Sequence, residues 1–572
     1  MKLRSEAWFN HPSAETRFQH RSAMRSNGHV PDSFVGKPVI GIFNSWNDLN
    51  SCNMPHKELV EYVKRGILLA GGYPIEMHTI TTPSDFMKPS DLPYRNLMAM
   101  DVEEQIRALP IDGVVLLCEC DKTTPAQLMG AASSRLPALL LAAGHRASGS
   151  FRGKPVHYGT DLWTYMDEYA AGKLSDEDVR ELEQCMSCSR GGCPVMGTAS
   201  TMKSMAEMLG VMLPGSSSIP ASHSLRKIAA EETGKRIVAM VRDGLTVDKL
   251  LTEQAFDNAI RLLAALGGST NAVIHLTAIA GRLGIRIPLE RYAELSQGVP
   301  LLVDLQPSGR YGMDDFFNAG GLPAVIRELL PWLHGDSLTA LGTTVGEAYA
   351  SAPRHTDVVL SPERPLSAVS GIAVLKGNLA PNGAVLKLSA SKLREQHRGK
   401  AFVFDDYERM LDQLADESLD VDADTVLILR NCGPIGAGMP EWGAIPIPRK
   451  LLREGVRDMV RISDARMSGT SYGTVILHVS PEAAAGGPLA LVHTGDWIEI
   501  NIGEGRLTLD VSDEELEERR KAWKPAEKKH KRGYPRLFND TVLQAHEGCD
   551  LSFLRPADET EVRFVPPVVG RG

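Results

Sequence analysis

The stretch GVVLLCECDKTTPA, residues 113–126, decides the fold of the first third of the chain. Its first six residues, Gly113–Cys118, form an apolar run of strand length, and Thr124–Ser133 then has helical periodicity. The same alternation of extended and helical segments continues on both sides, in Pro38–Phe43, His56–Ala70, Pro74–Ile80, Tyr94–Leu109 and Pro137–Ala143. Near-continuous apolar strands that alternate with helices predict an α/β fold, with a doubly wound parallel sheet covered on both faces.

The rest of the chain changes in character twice. Residues 200–333 have a mostly helical pattern, whereas short strands punctuated by Gly, Asn and Pro follow from residue 367 onward. Such strands are typical of an antiparallel or barrel-like domain. We therefore predict an N-terminal α/β domain over residues 1–360 and a C-terminal β-barrel-like domain over residues 361–572. Within the second domain, the charged segment Lys521–Lys531 is expected to be a solvated connector.

Composition excludes several classes of protein. The chain has 572 residues, of which 43% are hydrophobic, so it is neither disordered nor collagen-like. Its net charge of −9 argues against nucleic acid as a partner. Uncharged apolar runs stay below the ~18 residues that span a membrane, and the charged N-terminus lacks the apolar core of a secretory signal. We expect a cytoplasmic protein without a membrane partner, whose eight cysteines are not disulfide-bonded.

Three cysteines occur in Gly-, Pro- or Asn-rich loops near the ends of apolar strands, namely Cys52, Cys120 and Cys193. Thiolates from three distant loops could hold an iron–sulfur cluster with one iron open to substrate, although single cysteines after strands are more often core residues. The pair Cys185 and Cys188 suggests zinc, but no second pair follows at finger spacing, which favours packed or surface thiols. Phosphate-loop, dinucleotide-binding and HExxH motifs are absent from the sequence.

Four other residues have side chains suited to metal binding or catalysis. Asp121 directly follows the second cysteine and is a hard oxygen ligand of the kind that Mg²⁺ prefers. Lys122 beside it is more often a salt-bridge partner, unless its amine is modified to an oxygen donor. Glu441, in a glycine-rich loop, is either an oxygen ligand or a solvent-facing residue. Ser468, among small residues, is either an activated base or nucleophile or a turn serine.

Eight segments, taken in order, resemble the dihydroxy-acid dehydratase / phosphogluconate dehydratase family, which also contains the aldonic (sugar) acid dehydratases. Any one segment is modest evidence, but all eight in order are highly specific and extend over nearly the whole chain. The segments are NDLNSCN (47–53), CDKTTPAQLMGA (120–131), GGCPVMGTASTM (191–202), LGGSTNAVIHL (266–276), GNLAPNGAVLKLS (377–389), GPIGAGMPEW (433–442), SDARMSGTSYGTVILHVSPE (463–482) and HTGDWIEI (493–500).

The resemblance implies a role for each matching residue. The ligands of a 2Fe-2S cluster with an open outer iron would be Cys52, Cys120 and Cys193. The ligands of Mg²⁺ would be Asp121, Glu441 and a carbamylated Lys122. The base that removes the C2 proton as an alkoxide would be Ser468, with Gly469 and Thr470 near the substrate carboxylate. The family also implies an α/β domain followed by a barrel-like domain, and assembly into dimers or tetramers.

The sequence departs from the family pattern at two points that concern this site. Ser51 stands before the first cluster cysteine, where the family usually has Pro. The family also has a further acidic Mg²⁺ ligand upstream of the second cysteine. In the segment TTPSDFMKPSDLPYRN, Asp85 is the nearest candidate for this ligand, with Asp91 behind it.

Two features favour the sugar-acid branch of the family. Ala126 follows Pro125, where the amino-acid-biosynthesis branch more often has Gly. The tail over residues 532–554 resembles that of pentonate-type dehydratases, although it has Leu551 and Ser552 where Phe and Asp are more typical. If the tail shapes the substrate pocket, these two residues would favour shorter or less polar dihydroxy acids.

We therefore expect a hydro-lyase that dehydrates a small 2,3-dihydroxy carboxylic acid, specifically an aldonic sugar acid, to its 2-keto-3-deoxy acid. One alternative is dehydration of 2,3-dihydroxyisovalerate in branched-chain amino-acid synthesis, with broad specificity over both substrates. The other is a non-catalytic iron–sulfur or zinc-binding protein that has kept the fold.

Overall fold

Two β-sheets organise the computed structural model, which describes residues 3–393, 395–525 and 530–556. The first sheet has four parallel strands in the order β2-β1-β3-β4. These strands are β1 (Val39–Asn44), β2 (Tyr73–His78), β3 (Gly113–Leu117) and β4 (Ala138–Leu141). All residues of β1, β3 and β4 are buried, which explains their unbroken apolar sequence. A short hairpin follows, β5 (Gly149–Phe151) with β6 (Lys154–Val156).

Seventeen α-helices occur in the described part of the first domain. They are α1 (Glu6–Phe9), α2 (Ala14–Ser26), α3 (Pro31–Phe34), α4 (His56–Leu69), α5 (Leu92–Ala108), α6 (Thr123–Ser134), α7 (Thr160–Ala170), α8 (Asp176–Met186), α9 (Thr198–Met208), α10 (Ser224–Asp243), α11 (Val247–Leu250), α12 (Glu253–Leu266), α13 (Asn271–Gly281), α14 (Leu289–Ser296), α15 (Met313–Asn318), α16 (Gly321–Leu329) and α17 (Val345–Tyr349). Helix α4 packs on α10, which contacts β3 and β4, whereas α5 and α6 pack on each other. The predicted α/β domain is confirmed.

The strand order places the carboxyl ends of β1 and β3 side by side. The chain leaves β1 toward β2 on one side and leaves β3 toward β4 on the other, so the two loops diverge from a shared crevice. Ligands of open parallel sheets bind at such a reversal. The loop after β1 contains Cys52 and the loop after β3 contains Cys120. Helix α9 is buried along its whole length and packs on α6, α12 and α13.

The second sheet has eight strands in the order β14-β13-β9-β10-β11-β12-β8-β7. Lys376, at the end of β7, pairs with Arg506 of β14, so the sheet is nearly closed and the barrel-like expectation is confirmed. The strands are β7 (Ala373–Leu375), β8 (Gly383–Leu386), β9 (Gln396–Phe404), β10 (Val426–Leu429), β11 (Arg461–Ser463), β12 (Val475–Ser480), β13 (Trp497–Asn501) and β14 (Arg506–Asp510).

The antiparallel alternative for this domain is wrong for its centre, because β9 to β12 are parallel. Parallel neighbours need long crossover connections, and the loops after β10 and β11 fill this role. The helices of the second domain are α18 (Tyr407–Ala415), α19 (Pro434–Ala437), α20 (Arg449–Arg453), α21 (Asp513–Ala522) and α22 (Gly533–Thr541). Short 3₁₀ helices are Leu330–Trp332, Leu388–Ala390, Ala483–Ala485, Pro488–Leu491, Ala545–Glu547 and Ser552–Leu554.

Two further expectations concern the charged segment of the second domain and membrane-spanning helices. The charged segment Lys521–Lys531 begins in the last two residues of α21, and residues 526–529 of this segment lie outside the described residues. Across the described ranges, no helix combines the length and the apolar character that crossing a bilayer requires.

Candidate active site

The three cysteine loops converge at the carboxyl edge of the parallel sheet. A hydrogen bond joins the thiols of Cys52 and Cys120, and the charge of Cys52 also acts on Cys193. Asn53 holds two of the loops together, because its Oδ1 accepts from the backbone N–H groups of Glu119 at 2.7 Å and Cys120 at 3.2 Å. The structure therefore brings together three cysteines that lie far apart in the chain.

Ser51 accepts two hydrogen bonds, of which the one to its hydroxyl is a bond that proline could not make. Its backbone carbonyl accepts from the N–H of Gly191 at 3.1 Å, which ties the Cys52 loop to the Cys193 loop. Its hydroxyl accepts from Arg146 at 3.1 Å, and the same guanidinium donates to the carbonyl of Gly191 at 3.2 Å. The departure from the family pattern thus leaves the turn anchored by a side-chain hydrogen bond.

Two of the three thiols, those of Cys120 and Cys193, have raised pKa values that favour their protonated form. The hydrogen bond with Cys52, followed by burial, raises the pKa of Cys120 well above its ordinary value. Burial, followed by the charge of Cys52, raises the pKa of Cys193 to about 12. A metal that binds thiolate sulfur reverses this preference and releases the protons. Three thiols from three loops, of which Cys52 interacts with both others, fit an iron–sulfur cluster with one iron site left for substrate.

Beside the thiols lies a cluster of three carboxylates around Lys122. Lys122 is fully buried and Asp91 is buried, whereas Asp121 and Glu441 are partly exposed. The Nζ of Lys122 lies 2.5 Å from Asp121, 3.5 Å from Glu441 and 3.6 Å from Asp91. Arg466 completes the cluster at 2.9 Å from Glu441 and 3.3 Å from Asp91. Asp91 and Asp121 come from the first domain, whereas Glu441 and Arg466 come from the second, so the cluster forms between the domains.

The electrostatics of this cluster follow from burial and from the lysine. Burial raises the pKa of Asp121, but Lys122 opposes it and brings the value down to about 2. Burial raises the pKa of Asp91, and Lys122 offsets this only in part. Burial and Arg466 lower the pKa of Lys122, but the three carboxylates outweigh them and raise it above its ordinary value.

The structure places the two acidic candidates of the upstream segment differently. Asp91, directly before α5, belongs to the Lys122 cluster. Asp85 has no ion pair with Lys122 among the described residues, and its charge acts instead on Cys193 and Tyr158. Ser84 lies between the carboxylate cluster and the cysteines. Its hydroxyl donates to Asp91 and to Asp121, at 2.7 Å for Asp121, and its oxygen lies 3.7 Å from the sulfur of Cys120.

Ser468 lies in the loop between β11 and β12. Its Oγ is 2.8 Å from Oγ1 of Thr470 and accepts from the backbone N–H of Thr470 at 3.3 Å. The indole of Trp163 donates to Oγ1 of Thr470 at 3.0 Å, and the hydroxyl of Thr160 donates to its carbonyl at 3.0 Å. The serine loop of the second domain is thus anchored on α7 of the first.

Close packing explains the glycine after the serine. A Cβ atom at Gly469 would lie 2.6 Å from the backbone nitrogen of Thr198 and 2.8 Å from the side chain of Ser269. Such distances are shorter than van der Waals contact, so only glycine lets the loop approach the first turn of α9 this closely.

Asn271, the first residue of α13, joins the serine loop to the carboxylate cluster. Its Nδ2 donates to Oε1 of Glu441 at 2.9 Å and to the carbonyl of Met467 at 3.2 Å. The same group lies 3.1 Å from the hydroxyl of Thr198. The carboxylates, the serine and the first turns of α9 and α13 therefore belong to one site.

Sequence reasoning missed several residues of this site, namely Ser84, Asn271 and Arg466. Asn271 and Arg466 lie in segments that carried the family resemblance, and Ser84 lies in the segment that was considered for the upstream acidic ligand, but no local pattern distinguishes the three residues. Arg466 could have been proposed from its position, because it lies only two residues before Ser468. The CxxC pair lies apart from the thiol cluster: Cys185 is in α8, and the exposed Cys188 donates to the carbonyl of Ala147 at 3.3 Å.

The tail beyond α22 packs behind the carboxylate cluster. Arg95 and Asn96, in the helix that Asp91 precedes, donate to the carbonyl of Cys549 at 2.9 and 2.8 Å. The thiol of Cys549 lies 3.4 Å from the sulfur of Met439, two residues before Glu441. Leu551 is buried and Ser552 is exposed. In the described residues the tail therefore supports the elements that carry two carboxylates.

Sequence models of one family match both domains. The dihydroxy-acid/6-phosphogluconate dehydratase N-terminal model matches residues 37–348, and the C-terminal model matches residues 357–549. The chain belongs to this family. It is a dehydratase. The N-terminal match contains the three cysteine loops, and the C-terminal match contains the barrel-like sheet and the serine loop.

Three relatives show where in the family the chain lies. It is 49% identical over 567 residues to L-arabonate dehydratase of Azospirillum brasilense, with 97% of each chain covered. It is 44% identical over 563 residues to 6-deoxy-6-sulfo-D-gluconate dehydratase of Pseudomonas putida, again with 97% of each covered. It is 40% identical over 546 residues to dihydroxy-acid dehydratase of Ignicoccus hospitalis, with 93% of this chain and 98% of the relative covered. The similarity supports the sugar-acid branch.

Proposed function

We propose that the protein dehydrates an aldonic sugar acid, with a pentonate such as L-arabinonate as the preferred substrate, to the 2-keto-3-deoxy acid. The relatives that act on sugar acids are 44–49% identical to the chain, against 40% for the dihydroxy-acid dehydratase. The observation that carries the proposal is the pair of hydrogen bonds from Asn271 to Glu441 and to the Met467 carbonyl. These bonds join the serine loop to the carboxylate cluster, which supports a single site made of both.

The residues present fit two cofactors. Cys52, Cys120 and Cys193 would hold a 2Fe-2S cluster, since they supply three interacting thiols from three loops. No set of three His, Cys, Asp or Glu side chains in the described ranges is preformed as a metal site. In the carboxylate cluster the amine of Lys122 occupies the position among the acidic groups that a cation would take.

The charge of this cluster supports Mg²⁺ bound together with a carbamylated Lys122. Three carboxylates against Lys122 and Arg466 leave one net negative charge. Carbamylation turns the lysine from a cation into an anion, a change of two charges, which one Mg²⁺ restores. The ligands would then be the carbamate with Asp91, Asp121 and Glu441, all hard oxygen donors.

When bound, Mg²⁺ and the open iron supply Lewis acidity at the substrate carboxylate and C2 oxygen and at the C3 hydroxyl, respectively. Ser468 acts as the base: its alkoxide oxygen takes the proton from C2. The electron pair of the C2–H bond forms the C2–C3 double bond as the C3 hydroxyl leaves. This hydroxyl departs as water with the proton that Ser468 took from C2, which restores the serine alkoxide. The resulting enol tautomerises to the 2-keto acid, so no external oxidant or reductant is consumed.

Residues of the serine loop stabilise the charge that this step requires. The backbone N–H of Thr470 donates to the Ser468 oxygen, which favours its anionic form. The first turns of α9 and α13 contact the same loop, and the positive end of a helix dipole attracts a carboxylate. The substrate carboxylate would therefore lie near Gly469 and Thr470.

The test is 2-keto acid formation by anaerobically reconstituted protein with Mg²⁺. We expect kcat/KM for L-arabinonate or D-xylonate to exceed that for 2,3-dihydroxyisovalerate. The Ser468→Ala variant should keep its iron and sulfide and lose turnover. Preference for dihydroxyisovalerate would instead assign the protein to branched-chain amino-acid synthesis, and an unreactive wild type with a full cluster would refute both substrates.

A further inference from the structure

Lys387 is a fully buried lysine outside the cluster described above. It follows β8 at the boundary with the first domain, and 0% of its side chain is exposed. Its Nζ donates to the carbonyl of Gly469 at 3.2 Å. In the described residues this is the only hydrogen bond of its amine, and no carboxylate forms an ion pair with it.

Such an arrangement is costly for the folded protein. An ammonium group has three donors, and burying it with one hydrogen bond and no counter-charge leaves it poorly solvated. Burial alone lowers the pKa of Lys387 to about 7. A methionine would fill the same space without this cost, so packing does not explain the amine.

The hydrogen bond of Lys387 ends on a particular peptide group. The carbonyl of Gly469 and the N–H of Thr470 belong to the same peptide unit, and that N–H donates to Oγ of Ser468 at 3.3 Å. A cation at the carbonyl end polarises the peptide and makes its N–H a stronger donor, because hydrogen bonds in a chain reinforce one another in a low dielectric. The charge of the lysine thus reaches Ser468 through one rigid unit.

We infer that Lys387 is a positioning residue that stabilises the negative charge on Ser468 through the Gly469–Thr470 peptide. The inference rests on the proposed role of Ser468 as the base. Lys387 fixes the orientation of this peptide, so the N–H of Thr470 remains directed at the serine oxygen. When the amine is protonated, its charge adds to the donor strength of that N–H group as the alkoxide forms.

The experiment compares Lys387→Met, Lys387→Arg and wild type as reconstituted holoenzymes with Mg²⁺. Loss of one donor to a developing oxyanion lowers kcat by about 10²- to 10³-fold, and an indirect contribution should be smaller. For Lys387→Met we expect kcat to fall by about 10- to 100-fold with little change in KM. Lys387→Arg keeps the cation and should retain more activity than Lys387→Met.

Two readouts separate this role from a structural one. Lys387→Met should keep the iron and sulfide content and have a melting temperature at least as high as that of wild type, because an unpaired buried charge has been removed. With substrate deuterated at C2, its kinetic isotope effect on kcat should exceed that of wild type, because proton removal has become slower.

The outcomes distinguish this inference from the proposed function. If wild type is active and Lys387→Met is equally active, the inference is overturned but the proposed function is not. The same holds if Lys387→Met loses stability and activity together. A wild type that keeps its cluster but dehydrates no sugar acid or dihydroxy acid overturns the proposed function and the inference with it.

Discussion

Glu119 and Lys203 form an ion pair of 2.7 Å that is almost completely hidden from solvent. Glu119 lies directly before Cys120, and Lys203 is in the helix that follows the Cys193 loop. The second oxygen of Glu119 accepts from the N–H of Gly144 at 2.9 Å. A Cβ at Gly192 would lie 2.4 Å from Glu119, so the carboxylate is also in tight contact with the Cys193 loop.

This ion pair should maintain the spacing of the cysteine loops. Glu119→Gln leaves the Lys203 ammonium buried without a partner, which typically costs about 3–5 kcal/mol of stability. We expect a lower melting temperature and a lower iron and sulfide content. The double variant Glu119→Gln/Lys203→Met removes the unpaired charge and should recover part of both. Equal damage in the single and double variants would show that the pairing is unimportant.

Gly469→Ala should separate chemistry from cofactor binding. The added methyl would meet the Thr198 backbone nitrogen at 2.6 Å, so the serine loop must move away from α9. Because well-placed groups lose activity steeply with small displacements, we expect kcat to fall by at least about 10²-fold, with normal iron content.

A matched control is Gly503→Ala, where the nearest atom lies 3.6 Å from the added methyl. This variant should have wild-type activity. If Gly469→Ala were as active as the control, the close packing of the serine loop on α9 would not be required for activity.

Asp91→Asn and Asp85→Asn test which acidic residue serves the Mg²⁺ site. Asp91 belongs to the Lys122 cluster, so its loss should raise the Mg²⁺ concentration for half-maximal activity by more than about 10-fold. Asp85→Asn should leave this concentration unchanged, because its charge acts near Cys193. The measurement is initial rate against Mg²⁺ concentration, and the reverse result would assign the ligand to Asp85.

Glu482 predicts a pH dependence of stability. Burial, reinforced by the charge of Asp464, raises the pKa of Glu482 to about 7 from its usual 4.5. Between these two pH values the folded protein binds more protons than the unfolded chain, so this group lowers stability as pH rises from 4.5 to 7. In Glu482→Gln the decline of melting temperature with pH over this window should be shallower. An unchanged slope would show that Glu482 titrates normally.

The sequence by itself determined the elements of the first domain. Apolar runs such as Gly113–Leu117 are buried on both faces, and burial imposes a composition that can be recognised locally. It also marked Cys52 and Cys120, because ligand-bearing loops follow the ends of parallel strands, here β1 and β3. Cys193, which was expected near the end of a strand, lies instead between α8 and α9. Family motifs then supplied roles that spacing alone left open.

Only the tertiary structure decided which distant groups meet. Asp85 and Asp91 lie on one short segment, and the choice between them depended on contacts with Lys122 from another loop. The parallel pairing of β9 to β12 was equally hidden, because strand direction depends on the connections and not on strand composition. The sequence around Lys387 does not indicate a role either, because its hydrogen-bond partner is the carbonyl of Gly469, 82 positions away. Burial and turns can be predicted from local sequence, because they impose a local composition. The role of a charged side chain depends on which distant groups the fold places beside it.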